Sequence, residues 1–388
     1  MSIQSIRIAQ SNATEARQAA QEFHAAAVQP DMGLVLFFCS SEYDLDVLAA
    51  EMNRLFTGVQ VAGCTTAGEI GPAGYLQHSL SGASFAADSC VAVSGLLNNL
   101  SRFEIVSGND FTQSLLQSLE SKAPQADSNN SFALLMIDGL SMCEEQVAHA
   151  LQYALGKITL FGGSAGDDQK FAKTSVFHEG RFHSDSAVLV LISTSLPFKI
   201  FKTQHFISTD ERLVVTEADS AQRIVTEING LPAAAEYARL VGVDVHELNS
   251  SHFAASPVVV RIDGTDYVRS IKTANADGSL TFYCAIEEGV VFRVAHGVGL
   301  LRNLEQTFDI LRAEMGVPQL VIGCDCILRK MEVAQNGLTE RVAEIFQSNN
   351  TVGFNSYGEQ FNGVHVNQTF TGIAIGADPT ISNEPRDA

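Results

Sequence analysis

Residues 61–70, VAGCTTAGEI, set a cysteine directly after one glycine and a glutamate directly after the next. A thiol beside a carboxylate suggests an activated nucleophile, which would need a partner base and an electropositive setting. A second stretch, VGFNSYGE (352–359), repeats both glycines and the glutamate but has Phe354 where the first has Cys64. What recurs is the backbone turn, where glycine permits positive φ or a close approach; the thiol is the replaceable part. Glu69 and Glu359 could act as paired acids or bases. Their recurrence in equivalent turns favours a structural job instead, accepting hydrogen bonds within the turn.

Four other groups of residues could carry chemistry. FGGSAGDD (161–168) is glycine-rich but lacks the GK[ST] ending of a phosphate loop, and Asp167 and Asp168 read more readily as turn carboxylates than as cation ligands. GCDCILR (323–329) places Cys324 and Cys326 on one face of a strand. Zinc or an iron–sulfur cluster there would need further ligands, with Cys284 as the third thiol, whereas buried reduced thiols are the commoner outcome. GVHVNQT (363–369) puts His365, Asn367 and Thr369 on one strand face; with Glu359 they would form a buried polar network or a ligand pocket. Among ten histidines, His205 shares a face with Phe201 and Ile207, and His296 shares one with Val290, Phe292 and Val294.

These residues need a frame. LVLFFC (34–39), FALLMIDG (132–139) and LVIGCDC (320–326) each read as a strand followed by a helical stretch, a second strand and a glycine-rich turn. Thirteen residues beyond Glu69 and Glu359 come Gly82 and Gly372, in return strands. Such strand–helix–strand units make right-handed crossovers with parallel strands. KTSVFHEGRFHSDSAVLVLIS (173–193) signals a hairpin turning at Glu179-Gly180, and 257–297 a meander. Amphipathic helices are expected around 220–240 and 299–315. The expected fold is mixed α+β in two domains, 1–205 and 206–388. Mixed sheets covered by helices are built from duplicated strand–helix–strand–Gly-turn units, with the boundary falling within 194–225.

Composition narrows the class. Of 388 residues, 46% are apolar and 18% charged, which describes a well-buried globular protein. The net charge of −20 repels nucleic acid and anionic membranes, so neither is an expected partner. Apolar runs are of strand length, and no secretory signal is visible at the start. Seven scattered cysteines suit reduced thiols in the cytoplasm.

Taken together, GCTTAGE, FGGSAGDD, VTEING, GCDCILR and GVHVNQTFTGIA resemble the FIST sensory module with its N-terminal and C-terminal halves, over residues 30–376. With no appended enzymatic domain, the chain is similar to the bacterial nitric-oxide-sensing haemoproteins of that family. The resemblance implies a cytoplasmic, non-enzymatic sensor that binds haem b and nitric oxide and regulates a partner histidine kinase or cyclic-di-GMP signalling, with a homodimer among the assemblies it allows. A metal-free module for a small ligand such as an amino acid is the alternative. Haem needs an imidazole opening onto an apolar slot. The absence of a CxxCH motif excludes covalent attachment, leaving His205 and then His296 as the candidate ligands.

Overall fold

The structure, a computed structural model, describes residues 5–262 and 264–377. The chain is mixed α+β, and three six-stranded sheets and one nine-stranded sheet organise it. The first unit runs β1 (Ile6–Ser11), α1 (Ala16–Ala27), β2 (Met32–Ser40), α2 (Leu45–Leu55), β3 (Gln60–Thr66), a hairpin β4–β5 (Glu69–Gly71, Gly74–Leu76) and a return strand β6 (Leu80–Ala86). The second repeats that order as β7 (Cys90–Asn98), α3 (Ile105–Lys122), β8 (Ser131–Asp138), α4 (Glu144–Leu155), β9 (Leu160–Ala165), β10–β11 (Val176–His178, Arg181–His183) and β12 (Ser186–Thr194). The third begins with β13 (Phe198–Thr203), is interrupted, and resumes with α7 (Leu300–Met315), β23 (Leu320–Cys326), α8 and α9 (Ile327–Gln335, Thr339–Ser348), β24 (Thr351–Ser356), β25–β26 (Glu359–Phe361, Val364–Val366) and β27 (Phe370–Ile375).

In each unit the two strands joined by the crossover helix are parallel, and the return strand pairs antiparallel with the first of them. The hairpins do not stay at home. The hairpin β4–β5 of unit one joins β24 of unit three, β25–β26 of unit three joins β9 of unit two, and β10–β11 of unit two joins β3 of unit one. The three sheets therefore close a ring. The glycine-rich turns interlock along the same circuit: Ala67 N–H donates to Asn355 O, Tyr357 N–H to Ser164 O, and Gly166 N–H to Thr65 O.

Inside the ring the three sheets share one apolar core containing Phe38, Cys64, Met136, Phe161, Cys324 and Phe354, with Phe38 stacked on Phe354 at 4.8 Å. Helices cover the outer faces, each unit adding its own smaller core. The alternation of large and absent side chains has a steric origin. A Cβ on Gly63, Gly162 or Gly353 would lie 2.4, 2.0 or 1.9 Å from a carbonyl oxygen of the paired strand.

The interruption spans Phe206 to Gly297, whose strands β14 to β22 form the nine-stranded sheet, carrying α5 (Ala233–Val241) and α6 (Ser250–Ala255). The expected division at 205/206 falls at the start of this inserted sheet, and the chain returns to the ring at α7. The helix expected around 220–240 is only its last third: Ile224–Ile228 is a strand, because its alternating residues pair with Leu213–Asp219. The sheet is fastened to the ring by Arg223, which donates to Glu144 at 2.6 Å and Glu145 at 3.1 Å, and by Arg269, which donates to the His365 carbonyl at 2.6 Å.

Candidate functional site

Between the inserted sheet and the third unit lies a cleft of about 810 Å³. Ile327, Leu328 and Met331 on α8 give it one apolar wall, while Phe206, Tyr283 and the start of α7 (Leu300–Met315) supply others. Phe171 reaches over it from the long loop between β9 and β10. That loop replaces the two-residue turns of the other units. Asp167 holds it by accepting from the Ala172 and Lys173 N–H groups at 2.8 Å, and Phe171 stacks on Tyr357 at 4.4 Å.

His205 lines the cleft from the two-residue break between β13 and β14, where the chain leaves the ring. It is buried, with the Phe206 ring 4.2 Å away. Its Nε2 lies 2.9 Å from Glu332 Oε1, and Arg329 Nη1 donates to its Nδ1 at 3.3 Å. Arg329 in turn donates to Asp325 at 2.7 Å, and Asp325 accepts from the Tyr75 hydroxyl. A buried polar chain thus runs from the β4–β5 hairpin to the cleft. Burial pushes the Asp325 carboxyl up, against the pull of Arg329.

A guanidinium only donates, so Nδ1 of His205 must accept and the ring proton sits on Nε2, facing Glu332. Neither nitrogen offers a lone pair to the cleft, and in this arrangement His205 does not fit haem iron. His296 does not fit either. It lies exposed near the end of β22 (Val291–Gly297), opposite Ile207, which is also exposed. The apolar face that carries Phe292 and Val294 ends before it.

The GVHVNQT residues sit elsewhere, beneath the inserted sheet. His365 and Asn367 converge on Gly358, where a Cβ would meet His365 Nε2 at 2.7 Å and Asn367 Nδ2 at 3.0 Å. Gln360 Nε2 donates to His365 Nδ1 at 3.1 Å and to Ser164 at 2.9 Å. His365 Nε2, Asn367 Oδ1 and Gln360 Oε1 are buried without a protein partner. Burial drives His365 down to about 4, so its imidazole is neutral. None of these residues lines the cleft.

The two turn glutamates make the same bonds. Glu69 accepts from Thr66 and from the N–H and hydroxyl of Ser79; Glu359 accepts from Ser356 and from the N–H and hydroxyl of Thr369. Burial nonetheless raises Glu69 to about 7 and Glu359 to about 8. A carboxyl whose folded pKa exceeds its unfolded one holds its proton more tightly when folded. Its stabilising contribution is complete below about 4.5 and is lost as pH climbs towards 8. Glu359→Gln, whose amide N–H can turn to the rotatable Ser356 hydroxyl, should flatten the decline of the urea midpoint between pH 5 and pH 8. An unchanged slope would place the titration elsewhere.

Cys64, Cys324 and Cys326 are buried, and desolvation pushes their thiols well up, which leaves none as a nucleophile. Cys284 belongs to the core of the inserted sheet while Cys324 belongs to the ring core, so the three thiols do not assemble. Among the described residues no group of three or more His, Cys, Asp or Glu side chains is placed to hold a metal ion. All seven cysteines are free, and no described helix is long and apolar enough to cross a membrane.

Sequence reasoning missed Glu332, Arg329, Phe171 and Tyr283. The position of Arg329 four residues after Asp325, across the join of β23 and α8, was the available signal for Arg329.

The FIST N domain model matches residues 33–231 and the FIST C domain model matches residues 233–362. No curated protein matches the chain. Two solved structures align along almost the whole chain. One is titled "Cyanuric acid hydrolase: evolutionary innovation by structural concatenation" (TM-score 0.38, 9% identity, 96% of this chain and 100% of that one). The other is a chorismatase (TM-score 0.36, 8% identity, 96% and 99%). Likenesses this remote carry no argument about activity.

Proposed function

The chain belongs to the FIST family of sensory domains, and on that premise we propose that it senses a small organic ligand held, without a metal, in the cleft between the ring and the inserted sheet. The observation that carries this reading is the cleft itself. It is apolar-walled, it lies where two bodies of one chain meet, and it has one polar group, Glu332, with an oxygen left without a partner. The buried thiols support a sensor over a thiol catalyst. Occupancy would change how the inserted sheet sits on the ring, which gives the two states a signal requires. A histidine kinase is the output partner that the family resemblance implies.

Leu301 lines the cleft and is partly exposed at the margin of the third unit's core, so Leu301→Trp should fill the cleft at a small cost in packing. A thermal-shift screen of small organic compounds on the purified full chain should yield ligands that raise the melting temperature. At a hundredfold excess over Kd the stabilisation is about 2.7 kcal/mol, a shift of several degrees. Leu301→Trp should abolish the shift while melting normally alone. The competing outcome is haem. A Soret band that moves with nitric oxide and is lost in His205→Ala would overturn the metal-free reading.

A further inference from the structure

Resting on that cleft reading, we infer that the ligand carries a positively charged nitrogen (an ammonium, amidinium or guanidinium) on an apolar, aromatic-sized body, with the charge bound by Glu332. The inference comes from how the hydrogen bonds at the floor of the cleft are shared out. Arg329 is committed to Asp325 and to His205 Nδ1, so it does not reach Glu332. His205 gives Glu332 a single N–H, to Oε1. Glu332 Oε2 is buried and has no protein partner. A carboxylate oxygen removed from water without a donor is costly, and a turn of the Glu332 side chain, which is 24% exposed, would offer that oxygen to a cation with a second N–H and relieve the cost.

The surroundings agree in sign and shape. Of the other charged residues that line the cleft, Arg302 is exposed and Glu305 is partly so. Lys272 Nζ stands 5.8 Å from the Phe171 ring centre and 6.0 Å from that of Tyr283, so its charge is held over these rings; Arg329 is close enough to act electrostatically on Glu332 but spends its hydrogen bonds on Asp325 and His205. The apolar wall is Ile327, Leu328 and Met331. An anionic head would meet Glu332 across an apolar gap. A neutral head could take one hydrogen bond but would leave the charge unbalanced. The net charge of −20 further favours the arrival of cations.

Three probes that share a phenylethyl body separate these cases: 2-phenylethylamine, its N-acetyl derivative and 3-phenylpropanoate, titrated calorimetrically into wild type, Glu332→Gln and Leu301→Trp. Glu332→Gln keeps an oxygen to accept from His205 and removes the charge. The amine should bind wild type at least tenfold more tightly than either other probe, and Glu332→Gln should weaken the amine at least tenfold. The inference is overturned if the amine fails to bind, if the carboxylate binds wild type within twofold of the amine, or if Glu332→Gln leaves the amine unchanged. The variants also tell the two readings apart. Equal binding of all probes that Leu301→Trp abolishes keeps the cleft and removes the charge preference. Amine binding that survives Leu301→Trp removes the cleft.

Discussion

Replacing Arg329 with Met is expected to lower stability by about 3–5 kcal/mol, because the change leaves Asp325 as a buried carboxylate without its cation. Asp325 and Arg329 are almost completely buried, 1% and 2% exposed at the side chain. The Tyr75 hydroxyl is the remaining donor to Asp325 and compensates in part. The neighbouring effect is local: His205 loses the N–H that fixes its tautomer. Chemical denaturation of Arg329→Met, Asp325→Asn and the double variant measures the coupling. The double variant should recover at least half the loss, since it removes the charge together with its counter-charge. Purely additive losses would mean that the pair is not a unit.

Gly353→Ala is expected to be at least as damaging. Its φ is +149°, a region that L side chains rarely adopt, and its Cβ would lie 1.9 Å from the carbonyl oxygen of Gly323 on the parallel neighbour. Neither obstacle is a flexible side chain, so relief requires β23 and β24 to part at the centre of the ring. Overpacking alone costs roughly 1–3 kcal/mol, and backbone overlap exceeds that. The control is Gly230→Ala. There φ is +74° but nothing lies within 4 Å, so only the left-handed backbone penalty of about 1–2 kcal/mol applies. Soluble yield and denaturation midpoint compare the two; a Gly353→Ala chain as stable as Gly230→Ala would refute the steric account.

The glycines were legible in the sequence because they repeat: the demand they meet is a carbonyl at the same place in all three units. The repeated units, their parallel strands and α7 (Leu300–Met315) were legible for the same reason, as periodic patterns longer than a turn. The ring was not. The strands that close it, such as Glu69–Gly71, are three residues long and pair with residues on the far side of the chain. Nor does local pattern reveal that Phe206–Gly297 is an insertion, since its alternation looks the same wherever the sheet is placed. At the site, the sequence reads the apolar setting of His205 from Phe201 and Ile207; Phe201 is buried but Ile207 is exposed, and the ring against His205 is that of Phe206. The partner of His205, Glu332, could not be read, because the contact joins residues that only the inserted sheet's return to the ring brings together. His296 shows the converse limit: period-two alternation says which face a side chain shares, not where the covered part of that face stops.

The cyclic exchange of hairpins has a consequence in time. The hairpin at 69–76 leaves the ribosome long before its partner strand, which is complete only once residue 356 has been made. Until then β4 presents an unpaired edge, and closure of a loop of nearly three hundred residues must precede its pairing. A nascent chain in that state is open to pairing with another copy of itself. The junctions made by the third unit, β24 with β4 and β25 with β9, thus form last, and maturation should be slow and all-or-none.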